Sequence, residues 1–483
     1  MASITVVTVP DGDRTPLLQP EYSGGGTEYS STQSSEEPPP KNSNGPKQRL
    51  VSLDVFRGIT VSLMILVDDA GKAFPSINHA PWFGVTLADF VMPFFLFGVG
   101  VSISLVFKKV VNRLAATKKV LFRSTKLFLL GVILQGGYFH GRDNLTYGVD
   151  VEKIRVMGVL QRIAIGYLLA SVLEIWLVNN TVVNSAVAFV KRYSFQIGAG
   201  ILVGVLYMVL LYGLHVPNWA FEISSLSTIL PTSLGANSQT VHCGLRGSLE
   251  PPCNAVGLID RILLGEKHLY QRPVYRRTKE CSVNSPDYGP LPPNSPAWCL
   301  APFDPEGILS SLMAAITCFV GLHYGHVLVH CKGHMQRIFF WLVSSLPLLI
   351  LGYLLNILGV PYSKPLYTLS YMFITAGASG VLMTIIYFIV DVKCIRKPSV
   401  IFQWMGMNAL VVYALAACDI FPAIVQGFYW RSQENNLVDL SERLLQSIFH
   451  SEKWGTLAFV VLEIVFWGAV AGFLHMKRIY LKL

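Results

Sequence analysis

The chain has 483 residues, of which 52% are hydrophobic and only 14% are charged, and its net charge is +9. Soluble domains carry about a quarter charged residues, so this composition excludes an ordinary water-soluble globule and makes a lipid bilayer the expected environment. The basic residues stand in short clusters between apolar stretches. This placement favours topology signals that face anionic lipid and argues against a nucleic-acid partner.

Residues 1–49 are polar and rich in Ser, Pro and Gly, with no apolar periodicity. They predict a disordered tail, and no cleavable signal peptide is visible in them. An acid precedes a dileucine in the segment from Asp13 to Leu17 and Leu18. In a cytosolic tail such a segment could bind sorting adaptors.

Spanning a bilayer takes about 20 apolar residues in a helix. The sequence therefore predicts an all-α polytopic membrane protein in which residues 50–483 form one transmembrane domain. Ten stretches qualify as spans, at 54–70, 87–107, 121–139, 158–178, 195–216, 307–329, 337–358, 366–390, 400–428 and 455–476. The first and the ninth carry polar residues that a plain anchor does not need.

The basic residues predict the orientation. The connection between the second and third spans contains no acid among its basic residues Lys108, Lys109, Arg113, Lys118, Lys119 and Arg123. By the positive-inside rule this connection is cytosolic, so both termini face the cytosol. The same topology predicts a glycan on the sequon at Asn144 and none on the sequon at Asn179.

The longest connection, residues 217–303, lies on the non-cytosolic side in this topology. Four of the eight cysteines fall in it, namely Cys243, Cys253, Cys281 and Cys299. Four cysteines in an oxidising compartment predict two disulfides. Three pairings are possible, and proximity in the sequence favours Cys243–Cys253 with Cys281–Cys299.

Ionisable residues cluster around the first span, and such residues at membrane depth are usually functional or paired. Asp54 and Arg57 lie three residues apart on one helix face, so they could neutralise each other. Alternatively, the guanidinium of Arg57 could bind an anionic cytosolic ligand. Asp68 ends the same span on the other side, close to His79.

His79 is either a solvated loop residue or a catalytic base, and five other histidines share its predicted side of the membrane. Asp68 could orient its imidazole across the short connection, and a carboxylate there would raise the pKa of His79. A second group consists of four histidines whose spacing would place them on one face of a helix, where they resemble a row of metal ligands. They are His323, His326, His330 and His334. No carboxylate stands near these four in the sequence, so we expect ordinary structural histidines and no metal site.

Several short motifs in a fixed order resemble the lysosomal heparan-α-glucosaminide N-acetyltransferase family, over roughly residues 48–483. They begin with Ser52-Leu-Asp54-Val-Phe56-Arg57-Gly58, His79-Ala-Pro-Trp82 and Leu87-Ala-Asp89. Further matches are Gly158-Val-Leu-Gln161-Arg162, Ile259-Asp260-Arg261, His268-Leu-Tyr270-Gln271, Asp304-Pro305-Glu306-Gly307, Leu369-Ser370-Tyr371 and Gly406-Met-Asn408.

The resemblance implies a transmembrane acetyltransferase in a lysosomal or vacuolar membrane. It implies acetyl-CoA as the cytosolic co-substrate, a luminal glucosamine-type amine as the acceptor, and His79 as the catalytic histidine. His79 could remove the amine proton during direct transfer, or carry the acetyl group in a two-step route. We assign Asp68 to the catalytic site beside it, and Asp54 and Arg57 to acetyl-CoA binding. The sequence leaves a homodimer open.

Three departures from the family pattern concern the acceptor. Asp68 stands where the family has an asparagine, Ala417-Cys418-Asp419 replaces a Gly-His-Glu segment, and the Cys281–Cys299 segment resembles an insertion. Two other classes of function stay open. A multi-pass transporter or channel for a small solute should show inverted repeats and broken helices, which the sequence does not clearly display. A receptor that uses the large loop would leave Asp54, Arg57 and Asp68 without a role.

Overall fold

The structure is a computed structural model and describes residues 50–108, 110–135, 151–178, 183, 185–222, 238–418 and 420–481. The tail with its dileucine, the two sequons at Asn144 and Asn179, and Asp419 lie outside the described residues. Helices dominate the described chain. They are α1 (Val51–Ala70), α2 (Leu87–Val106), α3 (Arg113–Gln135), α4 (Val159–Trp176), α5 (Ala186–Gly213), α6 (Ala255–Leu264), α7 (Ile308–His330), α8 (His334–Ile357), α9 (Leu369–Tyr387), α10 (Val400–Met407), α11 (Ala409–Val412), α12 (Ile420–Gln426), α13 (Leu437–Ile448) and α14 (Glu452–Met476).

The predicted all-α polytopic fold is confirmed, and each predicted span coincides with helical structure. Eight helical stretches of the described chain have the length and composition needed to cross a membrane. α1 and α3 are 20 and 23 residues long but carry four and five charged residues. α3 also begins eight residues before its predicted start, because its basic first turns extend the helix beyond the apolar stretch.

The ninth predicted span is interrupted. α10 ends at Met407, Asn408 leaves the helical conformation, and a π-helical turn at Tyr413–Ala417 follows α11 before α12 begins. The Asn408 side chain is 1% exposed, and neither its amide nitrogen nor its oxygen has a hydrogen-bond partner. The sequence does not clearly display this break, although the ninth span carries polar residues that a plain anchor does not need.

Glycines let the central helices approach closely, as in many membrane proteins. α2 packs on α7 where a Cβ at Gly100 would collide with the Cys318 carbonyl and one at Gly321 with the Phe97 carbonyl. α1 packs on α10 in the same way through Gly58. These contacts fix the two helices that flank the connection containing His79.

The long connection folds onto the helices. It contains a two-stranded antiparallel sheet of β1 (Trp219–Glu222) and β2 (Ser238–Val241), and α6. The predicted disulfides Cys243–Cys253 and Cys281–Cys299 are both present. Loop residues Tyr275 and Phe303 belong to one buried cluster with membrane-helix residues such as Met313, so the loop is part of the main core.

Candidate active site

His79 lies in the connection between α1 and α2 and contacts the first turn of α2. Its Nδ1 is 2.8 Å from Oδ1 of Asp89, whose side chain is fully buried. The other carboxylate oxygen of Asp89 accepts hydrogen bonds from the backbone amides of Ala80 and Thr86, at 3.2 and 3.0 Å, and from the Thr86 hydroxyl at 3.0 Å. The start of α2 thus holds Asp89 rigidly against His79.

Lys364 approaches the same imidazole from the connection between α8 and α9. Its Nζ is 3.1 Å from Nδ1 and 3.3 Å from Nε2 of His79. The His79 side chain is 31% exposed because it faces a cavity, yet it lies deep in the protein. Burial, followed by the charge of Lys364, lowers the pKa of His79 below its usual value and outweighs Asp89. The expectation of a raised pKa is therefore wrong.

These contacts determine the form of the imidazole. A carboxylate accepts hydrogen bonds, so Nδ1 carries the hydrogen and donates it to Asp89. Nε2 then holds the lone pair, which lies 3.3 Å from the Lys364 ammonium and can accept a hydrogen bond from it. The lowered pKa keeps that lone pair unprotonated in mildly acidic surroundings. The arrangement has the same logic as the histidine and aspartate of a catalytic triad.

A cavity of about 140 Å³ opens beside His79, and Asp68, Lys364 and Tyr413 also line it. Asp68, at the end of α1, is exposed. It shares the cavity with His79 as expected from the short connection, but the orienting contact on Nδ1 comes from Asp89. From the sequence, Asp89 is recognisable only as part of the motif Leu87-Ala-Asp89.

Asp54 and Arg57 lie near the opposite end of α1. Eleven residues separate Arg57 from Asp68, which corresponds to about 17 Å along the helix. An Arg57 nitrogen is 3.6 Å from Asp54, which is 3% exposed, and another donates to the Ser102 hydroxyl. Asp54 and Arg57 therefore form an ion pair with each other, as in the first of the two interpretations of the sequence. This pair does not meet His79.

Sequence analysis did not identify Lys364 as a site residue. It is 285 positions from His79, and no periodicity relates the two. The one available signal was its isolation, as a single cation in a short and otherwise uncharged connection.

The histidines of α7 and the start of α8 have separate partners. His326 lies 2.9 Å from the Glu174 carboxylate of α4, His330 lies 2.8 Å from the Tyr193 hydroxyl, and His334 lies 2.8 Å from the Tyr387 hydroxyl. The expectation that no carboxylate is near them is wrong, because α4 brings Glu174 from a distant part of the chain. Among the described residues, no group of three or more His, Cys, Asp or Glu is arranged for a metal ion.

Several of the motifs that carried the family resemblance meet in a buried polar network. Arg162 donates to the Pro305 carbonyl at 2.9 Å, and Asp260 accepts from the Ile308 amide at 2.8 Å. Burial raises the pKa of Asp260 to about 7. This network joins α4, α6 and the start of α7, so these motifs have a structural role.

The helices and the His79–Asp89 pair together define a multi-pass membrane protein with a candidate acid–base centre at one end of its helices. Residues 49–223 match the family model described as heparan-alpha-glucosaminide N-acetyltransferase, catalytic. The chain is 28% identical to heparan-alpha-glucosaminide N-acetyltransferase of Homo sapiens over 435 residues, which cover 87% of this chain and 60% of that protein. It is 26% identical to the Mus musculus protein of the same name over 444 residues, covering 88% and 61%.

The family resemblance seen in the motifs is confirmed by these similarities. The chain spans about 60% of the length of the curated relatives it matches. His79, Asp89 and the Asp54–Arg57 pair lie within the residues that match the family model, whereas Lys364 lies beyond them.

Proposed function

We propose that this protein is a transmembrane acetyltransferase that moves an acetyl group from acetyl-CoA to the amine of a glucosamine-type acceptor. The observation that carries the proposal is the His79–Asp89 pair, which faces a cavity inside the segment matching the catalytic family model. A neutral imidazole at the wall of a cavity is suited to accept a proton.

The residues support a direct transfer. The amine nitrogen forms a bond to the thioester carbonyl carbon, the carbon–sulfur bond breaks, and the amine loses one proton. Nε2 of His79 accepts that proton and can return it to the leaving thiolate. Asp89 stabilises the imidazolium that forms, while Lys364 favours the neutral imidazole before the reaction begins.

The two-step route uses the same lone pair. Nε2 would attack the carbonyl carbon first and release the thiolate, and the amine would then take the acetyl group from the imidazole. A single lone pair cannot hold an acetyl group and a proton at once, so the routes are distinguishable. Release of one equivalent of CoA per protein in the absence of an acceptor would indicate the two-step route.

Arg57 remains our proposed contact for the phosphates of acetyl-CoA, with Asp54 beside it. A guanidinium suits phosphate, but Asp54 partly offsets the charge of Arg57. A co-substrate bound there would have to extend its thioester along α1 toward His79. Arg57→Gln should therefore raise KM for acetyl-CoA and leave KM for the amine unchanged, and the opposite pattern would remove Arg57 from the site.

We further propose that both termini are cytosolic, that His79 faces the lumen, and that the dileucine in the tail directs the protein to a lysosomal or vacuolar membrane. The positive-inside pattern supports this orientation. Loss of a glycan in Asn144→Gln but not in Asn179→Gln would agree with it. If a variant with Leu17→Ala and Leu18→Ala still reached that membrane normally, the dileucine would not be a sorting signal.

The decisive experiment measures transfer of radiolabelled acetyl from acetyl-CoA to glucosamine in purified membranes. We expect His79→Ala to abolish transfer while its folding and acetyl-CoA binding persist. His215→Ala is the matched control, because His215 is exposed and follows α5 outside the site. An active His79→Ala protein would remove His79 from the reaction.

One observation favours a transporter as a second candidate. The break at Asn408 interrupts the ninth span, and discontinuous helices often form solute sites in transporters. Purified protein in proteoliposomes would then move labelled glucosamine across the bilayer without acetyl-CoA. Transfer of acetyl without such movement would favour the acetyltransferase.

A further inference from the structure

The segment closed by the Cys281–Cys299 disulfide reaches the connection containing His79. The Asn78 side-chain amide donates a 2.9 Å hydrogen bond to Oδ1 of Asp287 in that segment. The oxygen of the same Asn78 side chain accepts from the His79 backbone amide at 2.8 Å. One side chain therefore joins the disulfide-closed segment to the candidate catalytic residue.

Arg277 precedes the disulfide-closed segment in the chain and contacts two of its residues. Its side chain is 4% exposed, its Nε donates to the Pro286 carbonyl at 2.9 Å, and its Nη2 lies 3.7 Å from Asp287. A buried cation that holds both a carbonyl and a carboxylate determines the path of the chain around Pro286. The disulfide-closed segment is thus held in a defined position beside His79 and forms a wall there.

A second cavity, of about 400 Å³, lies between this wall and the residues that follow His79. This volume falls in the range of about 300–1,000 Å³ that is typical of ligand sites. Its lining includes the consecutive residues Pro81, Trp82 and Phe83 from the His79 connection, together with Glu250, Glu280 and Trp298 from the large loop. Trp82 is held in place by its indole hydrogen bond to the Leu249 carbonyl, at 3.0 Å.

The lining combines apolar rings with charged groups at the rim. Phe83 is exposed and Trp298 is half-buried, so both can pack against the C–H face of a sugar ring. Glu250 and Glu280 are exposed carboxylates, and Lys279 is the one cation among the described lining residues. The excess of carboxylates attracts a protonated amine and repels sulfate or phosphate.

We propose that this 400 Å³ cavity is the acceptor subsite, that it takes a single amino-sugar unit carrying a protonated amine, and that the disulfide-closed segment determines which acceptors fit. This inference rests on the proposed function, since it places the acceptor of that reaction. The sugar ring packs against Phe83 and Trp298, and Glu250 and Glu280 attract the ammonium group. The amine must lose its proton before it reacts. His79 lines the smaller cavity of about 140 Å³ and precedes Pro81 by two residues, so a sugar bound here has to turn its amine toward that smaller cavity.

The test measures KM for glucosamine and the inhibition constant of glucose, which has the same ring without the amine. An exposed ion pair contributes up to about 1 kcal/mol, which corresponds to about fivefold in binding. We expect Glu250→Gln and Glu280→Gln each to raise KM for glucosamine by about threefold to fivefold and to leave the inhibition constant of glucose unchanged. Glu434→Gln, an exposed carboxylate outside the cavity lining, is the matched control.

A second pair of variants tests the space itself. Lys279→Trp should fill the cavity and weaken both glucosamine and glucose at least tenfold, without changing KM for acetyl-CoA. Lys267→Trp places the same bulk on an exposed position outside the lining and should change neither sugar. Glucosamine 6-sulfate should bind more weakly than glucosamine to the unaltered protein.

The proposed subsite and the proposed reaction can be tested separately. Binding of both sugars is also measured by saturation-transfer NMR on protein in nanodiscs, which does not depend on acetyl transfer. Sugar binding that responds to these variants without any acetyl transfer would keep the subsite and overturn the acetyltransferase. Acetyl transfer with unchanged sugar constants in all three cavity variants would overturn the subsite. Equal weakening of glucosamine and glucose in Glu250→Gln and Glu280→Gln would overturn the recognition of the amine.

Discussion

Arg155 forms a two-pronged ion pair with Asp304, with Nε 2.8 Å from Oδ2 and Nη2 2.7 Å from Oδ1. The same Nη2 also donates to Glu306 at 2.6 Å. The pair joins the segment before α4 to the segment before α7, and Asp304 is fully buried. Two distant parts of the chain are thus held together at the base of the large loop.

Removing Arg155 should strongly destabilise the protein. Arg155→Met leaves the buried Asp304 and Glu306 carboxylates without their cation, and breaking such a pair costs about 3–5 kcal/mol. Thermal unfolding in detergent should show a large fall in the midpoint. Lys153→Met, at an exposed position two residues earlier, is the control. Equal midpoints in the two variants would show that the network is not a source of stability.

Asp89→Asn should nearly abolish acetyl transfer while the fold persists. Asparagine keeps the size of Asp89 but can no longer hold the Nδ1 hydrogen of His79 as a carboxylate does, and a corresponding change in a catalytic triad lowers kcat about 10⁴-fold. We expect a fall in kcat of about 10³–10⁴-fold with little change in KM for acetyl-CoA. Asp439→Asn, in the first turn of α13, controls for the effect on a helix start. A fall of less than tenfold would exclude Asp89 as the orienting residue.

Lys364→Met should move the acidic limb of the pH–rate profile to higher pH. The charge of Lys364 lowers the pKa of His79, so its loss raises that pKa. His79 must be neutral to accept a proton, and activity then disappears at a higher pH on acidification. Rates measured from pH 4 to 8 should fall most at the acidic end, whereas Lys72→Met on the exposed connection should leave the profile unchanged. A shift toward lower pH would contradict the role of Lys364.

Asp68→Asn should be much milder than His79→Ala, since it restores the asparagine that the family resemblance assigns to this position. Loss of a carboxylate from the cavity also removes a charge that favours the imidazolium. The acidic limb should therefore shift downward, opposite to the shift in Lys364→Met, with kcat within about tenfold of the original. An unchanged profile would show that Asp68 and His79 are not coupled.

The sequence predicted the helices well because apolar length is a local property. It predicted the site only in part, because contacts between connections are not local. The 16 residues from Gly71 to Thr86 could be seen to bring His79 near the ends of α1 and α2, but periodicity could not choose between Asp68 and Asp89 as its partner. The choice depends on the first turn of α2, where the Ala80 and Thr86 amides turn the Asp89 carboxylate toward His79. Lys364 enters through α8 and α9, which no local pattern connects with His79.

Because α2 packs closely on α7 through Gly100, a substitution at Gly100 can disturb the contact between Asp89 and His79. Asp89 and Gly100 share α2 and are separated by about 17 Å along its axis. Any side chain at Gly100 would push α2 away from the Cys318 carbonyl and would tilt the far end of the helix, where Asp89 meets His79. A harmful substitution in this protein can therefore lie within a membrane-spanning helix, well away from the His79 cavity.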